Sequence, residues 1–219
     1  MKDIAALDTL TPMQNDIRKS IVALLQQTKR KGVADLLKYL DETDFYLAPA
    51  STRFHAAYDG GLAYHSLMVC EAALSLYTSF YPQLLENTDW LEREVTEDSI
   101  ILTALLHDLC KIDTYVPGFR NVKDDATGKW EKVPTYTRDP QLAMGHGGKS
   151  VYIVQKFIEI TDLEAQAIYW HMGAYDTSLY MTLDELSKAY ETNFLAFLLH
   201  QADMLTTYVL ENNRYLDAR

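Results

Sequence analysis

The stretch Ile100-Ile101-Leu102-Thr103-Ala104-Leu105-Leu106-His107-Asp108-Leu109-Cys110-Lys111 puts two ionisable side chains at the end of an unbroken apolar run. Ile101, Ala104 and Leu105 precede Asp108 by seven, four and three residues. This spacing predicts a helix whose apolar face carries the carboxylate. Lys111 stands three residues after Asp108 and four after His107, so on a helix it projects alongside both. A buried carboxylate without a partner is strongly unfavourable, and a cation is the simplest partner for several at once. The His-Asp pair means little by itself, since about 0.5 such pairs are expected by chance in a chain of this composition.

Working outward from that run, other parts of the chain show the same pattern. His65 follows Gly60-Gly61 at the opening of an apolar helix, with Val69, Ala72, Ala73 and Leu76 at i+4, i+7, i+8 and i+11. Near the C-terminus, Leu195 and Leu199 precede Asp203 by eight and four residues and aim a second carboxylate inward. His146 and His171 also sit in or beside apolar stretches, so four of the six histidines belong to one set. One histidine on an apolar face is usually a hydrogen-bonded core residue. Six ligand-type side chains on several apolar helices point instead to a metal centre of His65, His107, Asp108, His146, His171 and Asp203. Its nitrogen and oxygen donors, with no thiolate, favour Mg, Mn, Fe, Ni, Co or Zn over Cu(I).

The remaining composition sets the class. A chain of 219 residues with 48% hydrophobic and 23% charged residues is expected to fold as a single globular domain. No run is long and apolar enough to suggest a membrane span, no secretory leader pattern opens the chain, and a cytoplasmic location is expected. Cys70 and Cys110 lie in apolar segments without metal or redox spacing, as small core residues in a reducing compartment do. The formal charge of −11, with Lys29-Arg30-Lys31 as the one basic cluster, disfavours a nucleic acid polymer and favours a small anionic partner.

The order His, His-Asp, His, His, Asp resembles the HD superfamily of metal-dependent phosphohydrolases over about residues 50 to 212. His107-Asp108-Leu109-Cys110-Lys111 is similar to its His-Asp-x-Gly-Lys segment. The pattern is similar to the HD domain of YhaM-type 3′→5′ exoribonucleases in several places: Phe54-His55 through His65, Tyr136-Thr137 before Gly145-His146, His171-Met172-Gly173, and His200 through Leu205. Cys110 stands where that family has glycine, and Met172 where it has a second histidine. The resemblance implies an all-α helical bundle in which His65, His107, Asp108 and Asp203 hold one divalent metal. His146 and His171 would hold a second, with Asp108 bridging. It implies hydrolysis of a phosphomonoester or phosphodiester of a nucleotide or short oligonucleotide, with Lys111 offsetting charge on the phosphoryl oxygens. An exoribonuclease, a mixed-valent di-iron oxygenase and a non-catalytic metal-bound sensor share this ligand set and stay open.

Residues 1–44 read as a helical extension, with Ile17, Ile21, Leu24 and Leu25 at helical spacing after the capping pair Thr11-Pro12. Residues 45–212 form the expected core, interrupted by an insertion at 112–143. There, 120–123 and 129–133 flank the turn-forming Asp124-Asp125-Ala126-Thr127-Gly128 and predict a small β-hairpin, placed to act as a lid. Arg53, Tyr136 and Arg138 are candidate substrate contacts, and Tyr175 and Tyr180 candidate stacking or interface residues. The oligomeric state is left open.

Overall fold

The computed structural model describes residues 4–85, 95–140, 142, 144–175 and 183–211. Tyr180 lies outside these, as do the ends of the expected 1–44 and 45–212 segments. The chain is mostly helical with one small antiparallel hairpin. A 3-10 turn at Ile4–Thr9 leads into α1 (Pro12–Gln27) and α2 (Val33–Glu42). After a loop come α3 (Gly61–Leu85), α4 (Glu97–Leu106), β1 (Tyr115–Lys123) and β2 (Trp130–Arg138), followed by α5 (His146–Val154), α6 (Asp162–Trp170), α7 (Leu183–Thr192) and α8 (Phe194–Leu205).

Local chemistry accounts for the element starts. Thr11 and Gln14 form a reciprocal capping box at α1, and Thr161 and Glu164 form another at α6. Along α1, Ile17, Ile21 and Leu25 are buried and Leu24 half-buried, so the N-terminal helices share the core rather than standing apart. α3 packs on α4 and α8, and α6 packs on α5 and α8. α4 is buried on every side from Ser99 to Leu106, which explains its lack of polar alternation. α5 and α6 approach closely at Gly147, where a Cβ would lie 2.1 Å from the Tyr169 carbonyl oxygen.

The hairpin is longer than the sequence pattern indicates. Its register runs without a break from Tyr115↔Arg138 to Lys123↔Trp130. Pro117 and Pro134 read as strand breakers, yet both strands of a two-stranded sheet are edges, where a missing N–H is tolerated. The root is tied by the Asp139 amide donating to the Thr114 carbonyl at 2.8 Å. Beyond the root the blade is largely exposed on both faces.

Candidate metal centre

His107 and His171 are built alike. Each is the C-cap residue immediately after its helix, α4 or α6, and each turns its ring back over that helix. His107 Nδ1 lies 2.7 Å from the Ala104 carbonyl oxygen, and His171 Nδ1 lies 2.6 Å from that of Ile168. Helix ends leave such carbonyls without partners, so the ring N–H satisfies one and fixes the tautomer. In that tautomer the Nε2 lone pair faces inward on both residues. His65, near the start of α3, is oriented differently. Its Nδ1 instead meets Glu211 Oε2 at 3.1 Å.

The three inward nitrogens, Nε2 of His65, His107 and His171, are buried and make no aligned hydrogen bond among the described residues. They converge on two carboxylates. His65 Nε2 is 3.2 Å from Asp203 Oδ1 and 3.7 Å from Asp108 Oδ2, and His107 Nε2 is 3.4 Å from Asp108 Oδ2. The other oxygen of Asp108, Oδ1, is 2.8 Å from His146 Nε2 and 3.6 Å from His171 Nε2. Asp108 therefore sits between two groups of imidazoles, one oxygen toward each. It lies just past α4 at φ −106° and ψ 18°, a sparsely populated backbone region where functional residues often occur.

The structure brings all six expected ligand-type residues together, with Lys111. Lys111 is buried and its Nζ donates to Asp108 Oδ2 at 2.5 Å. Burial opposes ionisation of Asp108, but Lys111 and His107 hold its carboxyl well below the usual range. Burial likewise works against Asp203, yet His65 and the other imidazoles lower its pKa. Burial disfavours the charged His65 ring, while Asp203 and Glu211 raise it to about 9. Burial also lowers the His146 pKa. Unpartnered imidazole nitrogens around ionised carboxylates fit divalent cations, and these buried clusters could hold them.

The three weaker candidates sit further out. Tyr136 donates to Asp59 Oδ1 at 2.5 Å from β2, Arg53 is exposed with its guanidinium 5.0 Å from the Phe54 ring centroid, and Arg138 is exposed opposite Tyr115. Tyr175 is exposed. Arg30, from the basic cluster, is tied to buried Glu164.

Several residues here were not singled out from the sequence. Glu211 is buried, and only its Oε2 has a partner. His55 lies with its ring centroid 4.7 Å from that of His65, and burial, then His65, lowers its pKa to about 3. Lys149, also buried, donates to the Cys110 carbonyl at 2.6 Å and to Thr114 Oγ1 at 3.1 Å, bracing the turn that carries Lys111. Lys149 was discoverable, since it follows His146 by three residues. Glu211 was not, because its place depends on a π-turn at Thr206–Leu210 that closes α8.

Over 103 residues, 46% of this chain, the sequence is 33% identical to a curated protein of Methanocaldococcus jannaschii. That protein is a dihydroneopterin 2′,3′-cyclic phosphate phosphodiesterase. The match spans 36% of the relative's own length, about a third of it. No family profile and no solved structure matches the chain. No described helix is long and apolar enough to cross a membrane.

Proposed function

We propose that this chain is a metal-dependent HD-type phosphohydrolase acting on a small phosphomonoester or phosphodiester, a nucleotide or short oligonucleotide. The observation that carries this reading is the set of three buried, unpartnered imidazole nitrogens facing Asp108 and Asp203. His65, His107, Asp108 and Asp203 would hold one divalent cation, and Asp108, His146 and His171 a second. The relative's activity on a cyclic phosphodiester supports the reaction class and makes a 2′,3′-cyclic nucleotide the first substrate to try.

Divalent cations held there supply Lewis-acid charge and a water whose pKa is brought toward neutrality. The chain's own residues do the rest. Asp108 offers one oxygen to each imidazole group and keeps the two ligand sets in register. Burial disfavours the charged Lys111 ammonium, but Asp108 more than offsets this and raises its pKa. Lys111 therefore stays charged and can neutralise negative charge growing on the non-bridging phosphate oxygens. In hydrolysis a water oxygen bonds to phosphorus, the P–O ester bond breaks, and the leaving oxygen takes up a proton. Tyr136, Arg53 and Arg138 would contact the remainder of the substrate.

The test is a panel of 2′,3′-cyclic nucleotides, mononucleotides, short oligonucleotides and bis(p-nitrophenyl) phosphate, assayed with Mn, Mg, Ni, Co, Zn or Fe(II). Phosphate-ester turnover that needs added metal and disappears in Asp108→Asn is the expected result. An active Asp108→Asn enzyme, or a chelator-treated enzyme at full rate, refutes the reading.

A further inference from the structure

The unbroken register of the hairpin sorts its side chains onto two faces, since alternate residues point to opposite sides and cross-strand partners share a side. One face carries Tyr115/Arg138, Pro117/Tyr136, Phe119/Pro134, Asn121/Lys132 and Lys123/Trp130, in order from root to tip. It therefore holds four aromatic rings and three cations, with no carboxylate from the hairpin itself; Asp59, outside the hairpin, accepts from Tyr136 near the root. The acidic Glu131 is on the opposite face, with Val116, Gly118, Arg120, Val122, Val133, Thr135 and Thr137. In a chain of net charge −11 this separation of charge stands out.

The face starts at the candidate metal centre. Tyr115 follows Lys111 by four residues, its hydroxyl donates to the Ala50 carbonyl at 3.4 Å, and the adjacent Thr114 amide donates to the Lys111 carbonyl at 3.2 Å. Eight residues on, at Lys123, the face has extended about 27 Å at strand rise. Away from the root, Phe119 and Trp130 are each 69% exposed and lie on the same face as the cations. Asp124, at the tip, is engaged in its own turn, accepting from the Ala126 and Thr127 amides.

Exposed rings interleaved with cations along an extended surface match the demands of single-stranded nucleic acid: faces for bases to stack on and positive charge along the backbone. A second acidic protein would satisfy the cations but would leave the prolines and rings without their stacking use. We propose that this face is a binding platform for a short single-stranded oligonucleotide, with bases on Phe119 and Trp130 and phosphates at Lys123, Lys132 and Arg138, leading one end to the His/Asp cluster. This rests on the phosphohydrolase reading and names the substrate class of that same site. With three cations the salt dependence is shallow, since each neutralised phosphate adds less than one unit to the slope for single strands.

The experiment measures fluorescence anisotropy of a fluorescein-labelled, phosphorothioate-linked adenosine tetranucleotide with the metal-loaded protein. Turnover of bis(p-nitrophenyl) phosphate is followed in parallel. Phe119→Ala and Trp130→Ala should each weaken binding roughly tenfold, and Lys132→Glu should weaken it and flatten the salt slope. Arg120→Ala, on the opposite face, should bind like wild type. Each variant's melting temperature and metal content are measured so that loss of fold is not mistaken for loss of binding. Wild-type affinity in the Phe119 and Trp130 variants, or no binding by wild type, overturns the platform. So does a shift from dimer to monomer in Trp130→Ala during sedimentation, which would make the face a protein interface. Absence of bis(p-nitrophenyl) phosphate turnover alone counts against the hydrolase reading, because the anisotropy is read independently of it.

Discussion

Replacing Glu211 tests whether the metal centre is organised as its hydrogen bonds indicate. His107 and His171 are oriented by their own helix carbonyls, three residues back, but His65 depends on Glu211 Oε2 at 3.1 Å, contributed from 146 residues away. Both side chains are buried, so water cannot replace the lost acceptor. Removing a group that orients a metal-bound histidine typically lowers metal affinity by about 10–100-fold, or roughly 1.4–2.7 kcal/mol. Glu211→Gln keeps an acceptor oxygen but loses the charge, so it should lie near the low end; Glu211→Ala should lie near the high end. Glu211 should affect the first metal, held with His65, more than the second, held with His146 and His171. The assay is calorimetric titration of the metal-free protein with Mn or Co, with Co absorption spectra reporting the two sites in sequence. Equal affinities in wild type and Glu211→Ala would refute the orienting role, and equal weakening at both sites would show a general loss of structure instead.

Because the carboxylates raise His65 to about 9, its ring is protonated at pH 7 in the metal-free protein, and a metal must displace that proton. Apparent affinity at the first site should therefore rise with pH up to about 9, with about one proton released from His65 at pH 7. Calorimetry in buffers of different ionisation enthalpy checks this, and no release would contradict it. Lys111→Ala should lower turnover about 100-fold while metal content stays near wild type; unchanged turnover on the preferred substrate would remove Lys111 from the chemistry. Gly147→Ala forces a methyl within 2.1 Å of the Tyr169 carbonyl oxygen, so α5 and α6 must separate. A loss of about 1–3 kcal/mol is expected by denaturant titration, and an unshifted midpoint would contradict the close approach. Burial pushes the Cys70 thiol up to about 12, so it should resist iodoacetamide at pH 8 until denaturant is added; prompt labelling of the folded protein would show the site is open.

Much of the centre was legible because its ligands lie on or at the ends of helices whose apolar period is written in the chain. Leu195 and Leu199 aim Asp203, within α8, by the 3.6-residue repeat, whereas the helix carrying Ile101, Ala104 and Leu105 ends at Leu106 and a turn sets the direction of Asp108. The capping pair Thr11-Pro12 and the turn residues 124–128 were legible for a similar reason, since their effect reaches only three or four residues. The hairpin's full length was not, because tolerance of Pro117 and Pro134 depends on both strands being edges, with no third strand pairing among the described residues.

Legible in the sequence pattern were the helical class, the inward direction of His65 and Asp203, and the apolar surface around them. Those properties follow from local backbone geometry. Tertiary packing alone sets one oxygen of Asp108 toward each imidazole group, brings Glu211 to His65 through a π-turn, and ties the root of the hairpin to the Lys111 carbonyl. These contacts join residues up to 146 positions apart. Where such residues meet is set by how whole helices pack, and no short-range pattern encodes it.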